Sequence, residues 1–324
     1  MLFLISDPSL HSLQTLQRQL LGCGVSSNTA KARDSSLNSY LKFCELYNLS
    51  PFPTTPYQAS LYCTYLSTCV SPSTVSNYIS GVWYHQKMLG FQDHSSNFML
   101  KQTIKGIHRS SSHIPPSKDV ILPVHLVQMY TLLNHSNLND LMFWLATLLG
   151  FRALLRKCHF TLSPHSLQFR DVELLDSGLK LTIRSSKTDQ LGSKPSHVFV
   201  TKVANHIFCP MYHLTKILSF PQFSPHDHLF QVVYKGKLVP MSYNYYRARL
   251  SEVGKASGLN IQNLTPHSLR HSGATYLQSL GIPLDVIKSR GNWSSSAVSR
   301  YLHPSDTYLQ SLDEVPSKSF SMFK

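Results

Sequence analysis

The first third of the chain carries apolar residues at helical spacing, separated by short polar breaks, and this pattern predicts a series of helices. The first stripe consists of Leu37, Tyr40, Leu41, Cys44 and Tyr47. Ser27 or Asn28 is expected to cap that helix, because a short polar side chain can accept a hydrogen bond from a free amide of the first turn. Further stripes follow the motifs T-T-P-Y and S-P-S-T, and a fourth helix is expected from Phe98 to Ile107. Residues 1–112 are therefore expected to form an all-helical domain.

A segment rich in serine and proline follows this helical series. It reads S-S-S-H-I-P-P-S-K at residues 110–118, and such a composition disfavours regular structure. A chain of 324 residues fits two domains better than one. We interpret the segment as an interdomain linker, although an ordinary surface loop within one domain would have the same composition. The expected division is a helical domain (1–112), a linker (113–121), a second domain (122–312) and a C-terminal tail (313–324).

The second domain is expected to combine helices with a small amount of sheet. Helical spacing recurs from Leu126 to Leu133 and from Leu138 to Phe151. Leu179, Leu181 and Ile183 alternate with polar residues, which predicts a strand. The expected partners are His197–Val200 for this strand, and Leu229–Val233 with Lys237–Val239 for a second pair. The predicted fold class is mainly α with a small β-hairpin or sheet (α+β).

The charge balance is strongly basic. Thirty lysines and arginines against 16 acidic residues give a formal charge of +14. Residues 1–112 carry 8 basic and 4 acidic side chains, and residues 113–324 carry 22 and 12. Such a balance suits a polyanionic partner, most plausibly nucleic acid, although a merely soluble basic protein would share it.

Cysteine usage and hydropathy narrow the class further. The six cysteines form no C-x-x-C pair, which indicates free thiols in a reducing compartment and no zinc site. The apolar start M-L-F-L-I stops at Asp7, which is too short for a signal peptide. The longest apolar run, Leu141–Phe151, has the length of a core helix and is too short to span a membrane.

The candidate chemistry lies near the C-terminus, in the run T-P-H-S-L-R-H. Thr265 and Pro266 suit the start of a helix, on which His267 and Arg270 would share a face. Trp293 follows Arg270 by 23 residues, and Tyr301 follows it by 31. An arginine can clamp a phosphate, a histidine can transfer protons, and a tyrosine can attack phosphorus.

These motifs resemble a known family. H-S-L-R-H, then G-N-W, then S-R-Y-L resembles the C-terminal signature of the tyrosine recombinases of the phage-integrase type. L-L-R-K-C-H-F and I-R-S-S-K-T-D-Q-L-G resemble the first-arginine segment and the lysine hairpin of the eukaryotic Crypton and DIRS transposon recombinases. The resemblance covers roughly residues 30 to 305, and it implies a helical core-binding domain that clamps DNA, followed by a catalytic domain.

The resemblance also implies an active site of six residues. They are Arg156, Lys187, His267, Arg270, Trp293 and Tyr301. Tyr301 would be the nucleophile, Lys187 the general acid, and the two arginines the phosphate clamp.

Some of these positions have alternatives. Arg152 lies four residues before Arg156 on the same expected helical face, and Lys194 lies across the expected hairpin from Lys187. Asn292 takes the place of Trp293 if the count runs back from Tyr301. The family often has an acid three residues after the first arginine, whereas this chain has His159.

The implied activity is site-specific cutting and rejoining of DNA, for integration or excision of a mobile element. It would need no metal and no cofactor. Double-stranded DNA would be the partner, and four protomers would assemble on two DNA sites. A short helix from Ser305 or Asp306 through Leu312 could pack against a neighbouring protomer or against its own chain. The Crypton resemblance implies a nuclear protein, and a bacterial host would place it in the cytoplasm with DNA.

Three other classes share part of this pattern. A DNA-binding protein descended from a recombinase would keep the fold without the chemistry. A type IB topoisomerase would share the chemistry. A helix-turn-helix regulator would account for G-I-P-L-D-V-I-K-S-R-G-N-W and the segment after it, but for neither Lys187 nor the upstream arginine.

Overall fold

The structure is a computed structural model, and it describes residues 9–111, 120–185, 195–220, 223–293 and Val298. The chain divides into two compact units, Met1–Pro115 and Pro116–Lys324. The dividing point falls inside the serine- and proline-rich motif. Most of the expected linker, the lysine turn, Tyr301 and the C-terminal tail lie outside the described residues.

The described part of the first unit is helical. Its helices are α1 Leu10–Cys23, α2 Ser27–Leu46, α3 Pro56–Ser67, α4 Pro72–Met88 and α5 Phe98–Ser110. Each begins after a residue whose side chain accepts a first-turn amide hydrogen bond: Ser9, Ser26, Thr55, Ser71 and Asn97. The expected cap of α2 was wrong by one or two residues, because Ser26 provides the hydroxyl that accepts from Thr29.

An aromatic core holds these helices together. Tyr40 and Phe43 of α2 pack against Tyr62 of α3, and the ring centroids are 5.0 and 5.2 Å from that of Tyr62. The stripe expected on α2 was correct at Tyr40 and Cys44 but wrong at Leu41 and Tyr47, which are exposed. The core therefore follows a face rotated toward Ser36 and Phe43. At Gly81 of α4 the absent side chain admits Ser36 of α2, so these two helices approach closely.

The second unit contains shorter helices and two small sheets. Its helices are α6 Pro123–Thr131, α7 Leu138–Arg152, α8 Lys157–Phe160, α9 Pro210–Leu218, α10 Tyr243–Ala256, α11 Pro266–Ser279 and α12 Leu284–Gly291. Its strands are β1 Val172–Leu175, β2 Gly178–Ile183, β3 Ser196–Thr201, β4 Gln231–Tyr234 and β5 Lys237–Pro240. The predicted fold class, mainly α with small antiparallel sheets, is confirmed.

Both predicted strand pairs are present. The strands β2 and β3 pair antiparallel with Leu181 opposite Val198, and β1 adds a third strand that the pattern did not predict. The strands β4 and β5 meet at a tight turn where Lys235 and Gly236 have positive φ values of 50° and 75°. Positive φ values at both turn residues are typical of two-residue hairpins, because such a turn matches the right-handed twist of the paired strands.

Helix α7 is the centre of the second unit. Every residue from Leu141 to Phe151 is buried, as expected for a core helix. Its Thr147 hydroxyl is 2.9 Å from that of Tyr246 on α10. At Gly273 of α11 a Cβ atom would collide with the carbonyl oxygen of Phe151, so only glycine allows α11 to lie this close. This contact brings the end of α7 beside the helix that carries His267 and Arg270.

The cysteines differ in burial. Cys44, Cys63 and Cys209 are buried, whereas Cys23 and Cys69 are exposed, and all are free thiols. Burial raises the pKa of the Cys63 thiol to about 12.

Among the described helices, none is long and apolar enough to cross a membrane.

Candidate active site

The chain reverses between the two arginines that compete for the first clamp position. Helix α7 ends at Arg152, and Leu154 adopts a left-handed conformation with a φ of 53°. Arg156 follows in extended conformation as the residue before α8. The expectation that Arg152 and Arg156 share one helical face was therefore wrong, because the helix ends between them.

Arg152 extends toward the sheet. Its Nη1 donates to the carbonyl of Phe208 at 2.8 Å, and its Nη2 donates to that of Thr201 at 3.1 Å. Its own carbonyl accepts from Nε of Arg290 at 2.8 Å. Burial lowers the pKa of both guanidinium groups below the usual range. These contacts tie α7, β3 and α12 together, as a structural residue would.

Arg156 extends toward the end of α12. Its Nη2 donates to the carbonyl of Asn292 at 2.9 Å. Asn292 has a φ of 51°, and the amides of Asn292 and Trp293 donate to the carbonyls of Ser289 and Lys288 at 3.0 Å each. This Schellman ending turns the chain sharply after Gly291 and brings the Asn292 carbonyl within reach of Arg156.

Arg270 is held at the same place from the other side. The side chain is only 2% exposed, and its guanidinium donates to the carbonyls of Leu154 and Gly291. Its Cζ atom lies 3.8 Å from the centroid of the Trp293 ring, within the range of a cation–π contact. Two carbonyls and one aromatic ring therefore fix the orientation of this guanidinium.

The Trp293 ring packs on a small apolar cluster as well as on Arg270. Its neighbours there are Leu154, Ala274, Ile287 and Val298. A Cβ atom at Gly291 would overlap the six-membered part of the Trp293 ring, so glycine is what allows the ring to lie against the end of α12. The ring therefore has a packing role and a contact with Arg270 at once.

This packing leads to a prediction for Gly291→Ala. The added methyl should displace the Trp293 ring from Arg270 and lower the free energy of unfolding by about 1–3 kcal/mol. Calorimetric unfolding would measure this loss. Gly106→Ala is a suitable control, because a Cβ atom there meets nothing within 4 Å and alanine favours a helix. Equal behaviour of the two variants would contradict the prediction.

Three histidines lie around the arginines. His267 is partly exposed one turn before Arg270 on α11, and His271 is fully buried on the next turn. His159 is 3% exposed, and burial lowers its pKa to about 3, with the charges of Arg156 and Arg270 acting in the same direction. Among the described residues, neither ring nitrogen of His159 has a hydrogen-bond partner. A neutral imidazole thus occupies the position where the resemblance leads one to expect an acid.

The structure brings together part of the predicted site. Arg156, Arg270, Trp293 and Asn292 meet at the end of α12, and His267 lies one turn from Arg270 on α11. Lys187, Lys194, Tyr301 and Tyr308 lie outside the described residues. In the part of the chain that is described, no group of three or more His, Cys, Asp or Glu side chains could hold a metal ion.

The sequence interpretation missed the backbone contribution to the site. The carbonyls of Leu154, Gly291 and Asn292 orient the two guanidinium groups. An asparagine after the last turn of a helix is a recognisable signal for a left-handed ending, so G-N-W could have indicated one part of this arrangement. Leu154 gave no comparable signal, because leucine rarely adopts a positive φ.

Part of the chain matches a known protein family. Residues 193–307 match the model of the phage integrase family. No curated protein matches the chain.

Solved recombinase structures share the fold. The Tn1549 transposon integrase in complex with transposon right end DNA has a TM-score of 0.62 at 12% identity, over 93% of this chain and 98% of that one. The XerH site-specific recombinase bound to a palindromic difH substrate has a TM-score of 0.59 at 19% identity, over 86% and 78%. A lambda integrase dimer bound to a COC′ core site has a TM-score of 0.57 at 13% identity, over 92% and 97%. The chain therefore shares the fold of these recombinase structures, and the segment that matches the phage integrase family model includes His267, Arg270 and Trp293.

Proposed function

We propose that this protein is a site-specific DNA recombinase that cuts and rejoins DNA through a 3′-phosphotyrosyl intermediate, in the integration or excision of a mobile element. One observation carries the proposal. Two guanidinium groups and an indole from distant parts of the sequence meet at residues 291–293, eight residues before Tyr301. A phosphodiester at this place would have two cations beside its non-bridging oxygens.

The arginines supply the electrostatic part of the reaction. Charge grows on the non-bridging oxygens as phosphorus becomes five-coordinate, and oriented donors stabilise that charge most when they need not move. Arg270 fits this requirement because two carbonyls and the Trp293 ring hold it. Arg156 is partly exposed, and its Nη2 donates to the Asn292 carbonyl at the surface, so it is the arginine that can turn toward a phosphate.

The remaining residues attack phosphorus, transfer protons or donate hydrogen bonds. The Tyr301 oxygen attacks phosphorus, the bond from phosphorus to the 5′-oxygen breaks, and Lys187 donates a proton to that oxygen. His267, beside Arg270, accepts the proton that the Tyr301 hydroxyl loses as its oxygen attacks phosphorus. The indole N–H of Trp293 donates a hydrogen bond to the phosphate, and the Asn292 side chain is the alternative donor. The reverse sequence, with a 5′-hydroxyl from another strand, rejoins the DNA without any metal.

The proposed partner is double-stranded DNA, with four protomers on two sites. The formal charge of +14 supports a polyanionic partner. The Tn1549 integrase, XerH recombinase and lambda integrase structures are complexes with DNA, and this supports the same partner for a chain of that fold. We propose a nuclear location on the Crypton resemblance, and we assign the segment 305–312 to contacts between protomers.

The direct test is to trap the covalent complex. A duplex from the ends of the proposed element, nicked close to the cleavage site, would lose a short fragment on cleavage and leave the protein attached to DNA. We expect an adduct that survives denaturing electrophoresis and forms equally well in excess EDTA. Absence of an adduct on every end sequence, with intact binding, would instead support a DNA-binding descendant of a recombinase.

Salt dependence provides a second prediction. On the order of 6–10 phosphate contacts would lower DNA affinity by roughly 10³–10⁵ between about 50 and 200 mM salt. Fluorescence anisotropy with a labelled duplex would measure this slope. An affinity that barely responds to salt would show that the basic charge serves a purpose other than DNA binding.

A type IB topoisomerase would form the same adduct, so strand exchange has to be measured separately. We expect exchange between two DNA molecules that each carry a site. Relaxation of supercoiled DNA that lacks the site, without exchange, would favour the topoisomerase.

A further inference from the structure

The end of strand β2 is held by side chains from the loop that follows α8. We refer to residues 161–171 as the anchor loop. Nε of Arg184 lies 2.9 and 3.0 Å from the carboxylate oxygens of Asp171, and its Nη2 donates to the carbonyl of Ser166 at 3.1 Å. The Oγ atom of Ser185 is 2.7 Å from Nδ1 of His165. Two consecutive residues after β2 are thus bound to one loop.

The anchor loop is itself bound to α8. The amide of Leu167 donates to the carbonyl of His159 at 2.9 Å, and the hydroxyl of Ser163 donates to that of Cys158 at 2.6 Å. Asp171 is only 4% exposed and also accepts the amide of Gln168 at 2.8 Å. Since Arg156 directly precedes α8, the anchor loop fixes Arg184 and Ser185 relative to Arg156.

A further contact starts from the other side of the hairpin. Nδ2 of Asn292 lies 3.3 Å from Oγ of Ser196, the first residue of β3. The carbonyl of the same Asn292 accepts from Arg156. The strand end before the lysine turn and the strand start after it are therefore both connected to the surroundings of Arg156.

These contacts lie where backbone pairing no longer guides the chain. The ladder between β2 and β3 ends at the pair Ile183 and Ser196. An ion pair that only stabilised the sheet is expected within the ladder. The pair between Lys180 on β2 and Glu173 on the opposed strand β1, 2.7 Å apart, is of this kind. Arg184 and Ser185 come after the ladder, so their contacts determine the path by which the chain leaves the strand.

We propose that the Arg184–Asp171 ion pair and the Ser185–His165 hydrogen bond are positioning contacts for the general acid of DNA cleavage. This inference rests on the proposed function, in which Lys187 donates the proton and follows Ser185 by two residues. In this role the four side chains act only through the position of Lys187. They fix the positions of Arg184 and Ser185 relative to Arg156, and the chain continues from there to Lys187.

Replacing the leaving oxygen atom by sulfur distinguishes a defect in proton donation from a defect in any other step of cleavage. When the 5′-bridging oxygen departs, it takes the electron pair of the bond to phosphorus and needs the proton from Lys187. When sulfur replaces that oxygen, the thiolate departs with the same electron pair and needs no proton, because a thiol is far more acidic than an alcohol. A defect confined to proton donation therefore disappears on a 5′-bridging phosphorothioate substrate.

The test compares cleavage of the oxygen and sulfur substrates by the full-length protein. The variants are Ser185→Ala, Asp171→Asn and Lys187→Ala, with Arg156→Ala as a variant defective in phosphate binding. We expect Ser185→Ala and Asp171→Asn to slow cleavage of the oxygen substrate by up to roughly 10²-fold, the cost of a misplaced catalytic group. Cleavage of the sulfur substrate should return close to the rate of the unaltered protein for these two variants and for Lys187→Ala, but not for Arg156→Ala.

Glu173→Gln is the matched control, because it removes an ion pair from the same sheet within the ladder. It should cleave both substrates normally. The proposal is wrong if Ser185→Ala and Asp171→Asn are equally slow on both substrates, or normal on both. It is also wrong if Lys187→Ala forms the adduct slowly on both, since Lys187 is then not the acid. No adduct with either substrate for the unaltered protein would instead refute the proposed recombinase function and this inference with it.

Discussion

Tyr301→Phe is expected to bind DNA with unchanged affinity and to form no covalent complex. Phenylalanine keeps the ring and removes only the oxygen that attacks phosphorus. Loss of the nucleophile from a covalent mechanism lowers the rate by on the order of 10⁶, which places the adduct below detection. Denaturing electrophoresis on the nicked duplex would measure the adduct, and anisotropy would measure binding.

Tyr308→Phe is the matched control for this experiment. It is the same change seven residues later, at a position whose spacing from Arg270 does not fit the family pattern. We expect it to form the adduct at the normal rate. If Tyr301→Phe keeps its adduct while Tyr308→Phe loses it, the nucleophile has been assigned to the wrong tyrosine. If both keep it, the nucleophile is a third residue.

The second large effect concerns the two competing arginines. Arg156→Ala should lower the cleavage rate by about 10²–10³, the usual cost of removing an oriented donor from a transition state. Its melting temperature should change little, because the side chain is partly exposed and its hydrogen bond to the Asn292 carbonyl is open to solvent.

Arg152→Ala should show the opposite pattern. It removes both donors to the Phe208 and Thr201 carbonyls, and we expect this to lower the free energy of unfolding by roughly 1–3 kcal/mol. The fraction that remains folded should retain most of its cleavage rate. Thermal unfolding and single-turnover cleavage on both variants would decide the matter. A fully folded Arg152→Ala protein without cleavage would assign the clamp to Arg152 instead.

Much of the fold could be predicted because its signals are local. The apolar run Leu141–Phe151 can be buried only by a surrounding protein core, and α7 is that core helix. Alternation at Leu179, Leu181 and Ile183 predicted β2, since one face of that strand is buried. The strand β1 was missed because four residues are too few to show an alternation that distinguishes a strand from a loop.

Part of the candidate site was equally local. His267 and Arg270 are three residues apart after a helix cap and a first-position proline, and α11 begins at Pro266 as that pattern requires. The order of Arg156, Lys187, His267, Arg270, Trp293 and Tyr301 is a property of the chain, and no tertiary information is needed to recognise it.

What the sequence by itself determined is thus most of the helices and strands and the order of the reactive side chains. The tertiary structure alone decided how Arg156, Arg270 and Trp293 are oriented. The left-handed turn at Leu154 sends Arg152 to the sheet and Arg156 to Asn292, and local propensity disfavours that turn. Arg270 and Arg156 each donate to a carbonyl more than 100 residues away in sequence. The close approach of α11 to the end of α7 at Gly273 brings Arg270 to the Leu154 carbonyl. Orientation depends on these long-range contacts because a side chain's own sequence neighbours cannot supply them.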